Sequence, residues 1–268
     1  MVVSPEKALS GKRGEIFSSV EENYVSRTFT GRENNMKQII ALGGGGFSME
    51  PDNPLLDRYV LAQSNKTNPK VCFIGTASGD AENYISRFYQ FFEKEQCQPS
   101  HLSLFNPPTR DLEGFLLEKD IIYVGGGNTK NLLALWKAWR LDEVLKKAWE
   151  KGVVLAGISA GSICWFEEGV TDSYGDGLEP LACLGFLKGS NCPHYDGEVD
   201  RRPAYQLLLE SGKIKPGLAV DDGAAIHFID EEIRTIVSSR PNAKAYRVYM
   251  DGAVKESELE TTYLGLLE

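Results

Sequence analysis

Hydrophobic and polar positions along the chain fall into two regimes. Residues 1–35 show no sustained apolar periodicity and scatter charges of both signs. They read as a flexible extension, or a leftover ahead of a misplaced start, because Met36 opens a new pattern. From there, short apolar runs alternate with stretches of helical spacing. Lys37 to Leu42 predicts a strand that ends in four glycines, Gly43 to Gly46, and Lys70 to Thr76 predicts another. Asp80 offers an N-cap to a helix carrying Tyr84, Ile85, Phe88, Phe91 and Phe92 on one side. Further strands are expected at His101 to Phe105, Ile121 to Val124 and Val153 to Ala156, with helices around Leu132 to Trp139 and Asp142 to Glu150. All-apolar strands separated by helices indicate a mostly parallel sheet covered on both faces. The last third differs. Leu218 to Val220 and Ala225 to Ile229 flank Asp221-Asp222-Gly223, and Ala245 to Tyr249 and Ala253 to Lys255 flank Met250-Asp251-Gly252. Asp-Gly between apolar runs predicts antiparallel hairpins. The expectation is one α/β domain over residues 36–268.

Composition narrows the function. The 268 residues carry 29 basic and 38 acidic side chains, a net charge of −9, which disfavours phosphate backbones and anionic lipid surfaces as partners. No apolar run approaches the roughly 18 residues a membrane span needs. The five cysteines include no C-x-x-C pair, so neither a zinc knuckle nor a disulfide framework is expected, and a reducing cytoplasm fits. Cys72, Cys164 and Cys183 lie in apolar runs and read as core residues. No cofactor or metal is expected.

The sharpest chemical signal is Gly157-Ile158-Ser159-Ala160-Gly161, directly after a strand. A tight strand-to-helix turn needs small flanking residues, lifts the serine hydroxyl clear of the sheet, and aims free N–H groups at the same spot. The bland alternative is a tight turn with a serine cap. A nucleophile needs a base, and of three histidines His101 and His227 lie in strand-like runs. His194, in the Pro- and Gly-fixed loop Asn191 to Gly197, is the candidate. Asp172 is the first choice of acid to orient it, with Glu167, Glu168 and Asp176 as alternatives. A second glycine cluster, Gly125-Gly126-Gly127-Asn128-Thr129, ends another strand and offers further N–H groups; it lacks the pattern of a P-loop or a dinucleotide site.

Taken together, Gly125 to Thr129, Gly157 to Ser162 and Pro193-His194-Tyr195 resemble the peptidase E and cyanophycinase family of serine peptidases, more its peptidase E-like branch, from about Met36 onward. The resemblance implies a three-layer α/β sandwich related in outline to class I glutamine amidotransferases. It implies Ser159 as nucleophile, His194 as base, Asp172 near the family's acid, and Gly126, Gly127 and Ala160 around an oxyanion hole. It also implies cleavage of dipeptides after an N-terminal aspartate. Asn128 and Thr129 are expected at the substrate, with Arg201 or Arg202 on the aspartyl carboxylate and Glu198 on the free amine, although Asp200 capping a helix with both arginines exposed is an equal alternative. A short peptide is the expected partner, with no nucleic acid or membrane, for a monomer or homodimer in the cytoplasm. The competing readings are an esterase or amidase on the same elbow, and a non-catalytic ligand-binding relative.

Overall fold

In the computed structural model, which describes residues 36–266, the apolar runs form the centre of a sheet. The proposed extension over residues 1–35 lies outside the described residues. Strands β1 (Gln38–Leu42), β2 (Lys70–Ile74), β3 (Gln98–Leu102), β4 (Ile121–Val124) and β5 (Val154–Ile158) run parallel in the spatial order β1-β5-β4-β2-β3. Their pleat splits the core. Ile40, Val71, Phe73, Ile121 and Tyr123 face one side, while Ile39, Cys72, Ile74, Ile122 and Leu155 face the other, as a period of two requires. Both sets are fully buried.

Helices cover each face. Helices α1 (Gly46–Met49), α2 (Leu55–Ala62) and α3 (Glu82–Phe92) supply Phe47, Leu56, Tyr84, Phe88 and Phe92 to the first face. Helices α4 (Leu112–Leu117), α5 (Thr129–Trp139) and α6 (Leu141–Glu150) supply Leu116, Leu132, Trp136, Leu145 and Trp149 to the second. The buried residues of α3 recur at Tyr84, Phe88 and Phe92, one helical face. Asp80 does not cap α3; its backbone is left-handed, with φ 54°, and its carboxylate accepts the Leu104 N–H at 3.1 Å.

After β5 the chain makes one helical turn, α7 (Ala160–Ile163), and leaves the first sheet. Strands β6 (Phe166–Thr171), β7 (Glu179–Ala182), β8 (Leu187–Cys192) and β9 (Gly217–Val220) enter a second, six-stranded sheet, with helix α8 (Arg201–Glu210) between β8 and β9. The chain then returns, and β10 (Ala224–Ile229) pairs antiparallel with β1 and with β11 (Glu232–Ser238). Strands β12 (Ala245–Asp251) and β13 (Ala253–Leu259) complete the second sheet, and the short β14 (Thr262–Tyr263) edges the first. Tyr205, Leu208 and Leu209 of α8 pack on Val170, Cys192, Ala219 and Val248 of the second sheet.

The α/β architecture, parallel first and partly antiparallel later, is thus as the sequence predicts, and one of the two predicted hairpins forms. The pair β12–β13 closes with Asp251 opposite Ala253. Asp221-Asp222-Gly223 is not a hairpin turn. Strand β9 pairs with β8 and β12 in one sheet while β10 pairs with β1 and β11 in the other, so this Asp-Gly segment is a crossing between sheets. Local turn chemistry does not distinguish a hairpin from such a crossing, because the choice is made by partners far away in sequence.

Candidate active site

The elbow is built by close approach of backbone. A Cβ on Gly157 would lie 2.1 Å from the Gly161 carbonyl oxygen, and one on Gly161 would lie 2.3 Å from that of Val124. Both glycines of the Gly-x-Ser-x-Gly pattern are therefore sterically required. Ser159 between them has φ 56° and ψ −114°. A non-glycine residue there carries on the order of 1–3 kcal/mol of strain, which the surrounding structure must hold. Its N–H donates to the Leu42 carbonyl at 3.2 Å, tying the elbow to the end of β1.

His194 arrives from the second sheet. Strands β8 and β9 are parallel neighbours with Cys192 opposite Ala219. Two residues beyond Cys192 comes His194, and three beyond Ala219 comes Asp222, so register alone sets them side by side. His194 Nδ1 and Asp222 Oδ1 are 2.6 Å apart, and both residues are buried. An ionised carboxylate only accepts, so Nδ1 carries the proton and Nε2 is left to act as a base. Burial by itself raises the Asp222 carboxyl, but the hydrogen bond and charge of His194, then the charges of Arg240 and Arg201, outweigh it and hold the group below its ordinary value.

Two backbone contacts join the halves. Gly44, just past β1, bridges to Asp222, and its carbonyl accepts the Gly223 N–H at 3.0 Å. A Cβ on Gly44 would lie 1.9 Å from Asp222 Oδ1 and 3.0 Å from His194 Nδ1, so the imidazole–carboxylate pair lies directly on this glycine. Ser159 is bonded to Leu42, two residues before it. The serine, the histidine and Asp222 thus meet at the ends of β1 and β5, the edge where open α/β sheets bind ligands. Ser159 and His194 do not hydrogen-bond to each other, a separation common in unliganded sites of this kind.

Asp172 is not beside His194. It lies exposed in the β6–β7 turn, where its carbonyl accepts the Gly175 N–H. The next residue, Ser173, docks that turn on the start of α5: its carbonyl accepts from Asn128 Nδ2 and its hydroxyl from the Lys130 N–H. The structure therefore replaces Asp172 with Asp222 as the acid on the imidazole. Glu167 is engaged by the Gly189 N–H and Lys215, and Glu168 accepts the Lys215 N–H. Asp176 is exposed in the same turn as Asp172.

On the far side of the serine stands the second glycine loop. A Cβ on Gly126 would lie 3.2 Å from Ser159 Cβ and 3.7 Å from its Oγ. The Gly126 N–H, however, donates to the Tyr84 hydroxyl at 3.1 Å. Among the described residues the N–H groups of Gly127 and Ala160 have no acceptor, so these two are free to hold an oxyanion. Gly127 has φ 136°, and its missing Cβ would lie 2.3 Å from the Ala77 carbonyl oxygen.

The expected substrate residues divide. Asn128 is spent on structure: it caps α5 through the Asn131 N–H at 2.8 Å and donates to Ser173. Thr129 is buried, its hydroxyl 3.4 Å from that of Thr171. Arg202 pairs with Glu256 and lies over the rings of Tyr195 and Tyr246, so its guanidinium is already engaged. Arg201 is different. It is buried, with Nε on Glu198 at 2.6 Å and Nη1 on the Val170 carbonyl at 3.0 Å, and among the described residues its Nη2 has no hydrogen-bond partner. The other two histidines are structural. His227 contacts the Tyr59 hydroxyl and Gln38, and burial lowers it to about 4; His101 contacts the Tyr89 hydroxyl. Among the described residues no three His, Cys, Asp or Glu side chains converge as a metal site, and no helix is long and apolar enough to cross a membrane.

Comparison with known proteins gives a family and a fold. The sequence matches the profile of peptidase family S51 over residues 39–236. It is 62% identical over 231 residues to the uncharacterized peptidase YgaJ of Bacillus subtilis, covering 86% of this chain and 100% of that one. The fold is similar to a solved peptidase from an acI-B1 actinobacterium, with TM-score 0.64 and 17% identity over 86% of this chain and 96% of that chain. It is also similar to a candidate peptidase E from Listeria monocytogenes EGD-e, with TM-score 0.56 and 18% identity over 84% of this chain and 100% of that chain.

Proposed function

The chain belongs to peptidase family S51, and from that premise we propose that it hydrolyses short peptides, dipeptides with an N-terminal aspartate foremost, by acyl transfer through Ser159. His194 Nε2 takes the Ser159 proton as Oγ attacks the scissile carbonyl, and Asp222 holds the imidazolium that forms. The oxyanion lies on the Gly127 and Ala160 N–H groups. As the C–N bond breaks, His194 returns the proton to the leaving amine, and water then hydrolyses the acyl-enzyme by the same steps. The observation that carries this reading is a strained serine elbow tied to Leu42 at the end of β1, with a buried His194–Asp222 pair packed on Gly44 two residues further on.

The aspartate preference rests on Arg201. One guanidinium nitrogen is unengaged on an otherwise fixed, buried cation, a suitable donor for a substrate carboxylate. Glu198, which holds Arg201 through one oxygen, presents the other to the substrate ammonium. Five unpaired cysteines support action in a reducing compartment, the cytoplasm. The test is a panel of dipeptides with Asp, Glu, Asn, Leu or Arg first, run with the protein and its Ser159→Ala variant. Cleavage confined to the Asp-first members and lost in the variant is expected. Hydrolysis retained by Ser159→Ala overturns the mechanism, and cleavage of other members only overturns the specificity.

A further inference from the structure

One contact of the Gly125 to Gly127 loop is made by a residue with no place in the acyl-transfer steps. Tyr84 is 8% exposed, and its ring is packed 5.1 Å from Phe73 and 5.8 Å from Phe47. The glycine loop is pressed onto this group: a Cβ on Gly125 would lie 2.9 Å from Phe73 and 3.1 Å from Tyr84. The hydroxyl then accepts the N–H of the very next residue, Gly126, whose α-carbon faces Ser159. Burial pushes the Tyr84 hydroxyl above its ordinary value, so it stays a neutral acceptor. On the other side, the Asn128 N–H is fixed to the Ala77 carbonyl at 2.8 Å. The Gly127 N–H lies between two anchored amides and, of the three, is the one without an acceptor among the described residues.

We infer that Tyr84 is a positioning residue for the oxyanion hole: by accepting the Gly126 N–H it pins the glycine loop so that the Gly127 N–H is the donor offered to the reacting carbonyl. Without that acceptor the flanking glycines, which have no side chains to restrain them, turn freely, and the half-buried Gly126 N–H seeks another partner. The inference rests on the reading of Ser159 as the acylated nucleophile. It adds a residue on α3, across the sheet edge from the His194–Asp222 pair, to the group that sets the rate.

The test measures the second-order rate at which a fluorophosphonate labels Ser159, since phosphonylation develops charge on an oxygen held by the same donors. Four proteins are compared: wild type, Ser159→Ala, Tyr84→Phe and Tyr123→Phe. Tyr123 is the control, a neighbouring fully buried tyrosine that packs on the same Phe47 and whose hydroxyl faces Asp57 beside Gly46, away from the glycine loop. Removal of one oxyanion donor costs about 10²–10³ in rate, and loosening one is expected to slow Tyr84→Phe roughly ten- to hundredfold. Tyr123→Phe stays within about twofold, and Ser159→Ala is not labelled. On an aspartyl p-nitroanilide, Tyr84→Phe lowers kcat and leaves KM unchanged. Placing 3-fluorotyrosine at position 84, assayed at about pH 6.5 so that the hydroxyl stays protonated, keeps the ring and weakens the acceptor, and gives an intermediate rate even where the Phe variant folds poorly. Absence of labelling in the wild type overturns the serine reading and this inference together. Labelling of Tyr84→Phe at or above the wild-type rate, or equal slowing of Tyr84→Phe and Tyr123→Phe, overturns the inference alone.

Discussion

Replacing Asp222 by Asn removes the charge beside His194 while keeping its shape, and the cost can be worked from the contact. The imidazole becomes an imidazolium only as Ser159 attacks, so the interaction with a carboxylate 2.6 Å from Nδ1 strengthens in the transition state. For charge centres roughly 4 Å apart at an effective dielectric of about 20, the lost attraction is about 4 kcal/mol, or roughly a thousandfold in kcat. An amide can also turn its NH₂ toward Nδ1 and favour the wrong tautomer, which takes the corresponding change in a Ser-His-Asp triad to about 10⁴. We therefore expect Asp222→Asn to lower kcat by about 10³–10⁴ on a cleaved dipeptide, with little change in KM. Asp172→Asn, in the exposed β6–β7 turn, is expected to stay within about twofold. The assay is initial-rate kinetics on both variants, with thermal melts to show that each is folded. A folded Asp222→Asn protein within tenfold of wild type, or a thousandfold loss in Asp172→Asn, refutes the assignment of the acid.

Two further predictions concern the supports of the site. Gly44→Ala puts a methyl 1.9 Å from Asp222 Oδ1, so the His194–Asp222 pair must shift; at least a hundredfold loss of kcat/KM is expected, and activity within a few-fold of wild type would contradict the packing. Asp57 is fully buried, one oxygen accepting the Phe47 N–H at 2.7 Å, and burial raises it from 3.8 to about 7. Its folded state keeps the proton that the unfolded chain releases near pH 4, so this residue's contribution to stability is present below pH 4 and is lost as pH rises to about 7. The loss is about 4 kcal/mol at most. Asp57→Asn stays neutral, so urea melts at pH 5 and pH 8 should show it gaining on wild type at the higher pH, and parallel curves would sink the argument.

What the sequence discloses about this site follows from how far each constraint reaches. The elbow is legible because its glycines answer to backbone atoms within a few residues or on the adjoining strand, and Gly157-x-Ser159-x-Gly161 states that need directly. The α/β class is legible for the same reason, since a strand's pleat and a helix's face are written in its own residues. The acid is not, because Asp222 reaches His194 through the register of β8 on β9 and a crossing between two sheets, 28 residues downstream. Its Asp-Gly signature reads locally as a hairpin. Arg202 is exposed in the first turn of a helix, as the sequence suggests, but its partner is not legible, because Glu256 lies 54 residues later on β13.

The Gly43 to Gly46 run, non-specific as a sequence, has the same explanation. Nothing local requires a glycine at Gly44; the demand comes from Asp222 and His194 of the other sheet, packed where a Cβ would stand. The residues hardest to find from the sequence are thus those at the seam between the sheets, and the His194–Asp222 pair lies on that seam. A fold that takes Ser159 from one sheet and His194 from another can move either edge only if the contact at Gly44 moves with it. That coupling makes Gly44, which offers no functional group, as necessary to the geometry as the side chains it touches.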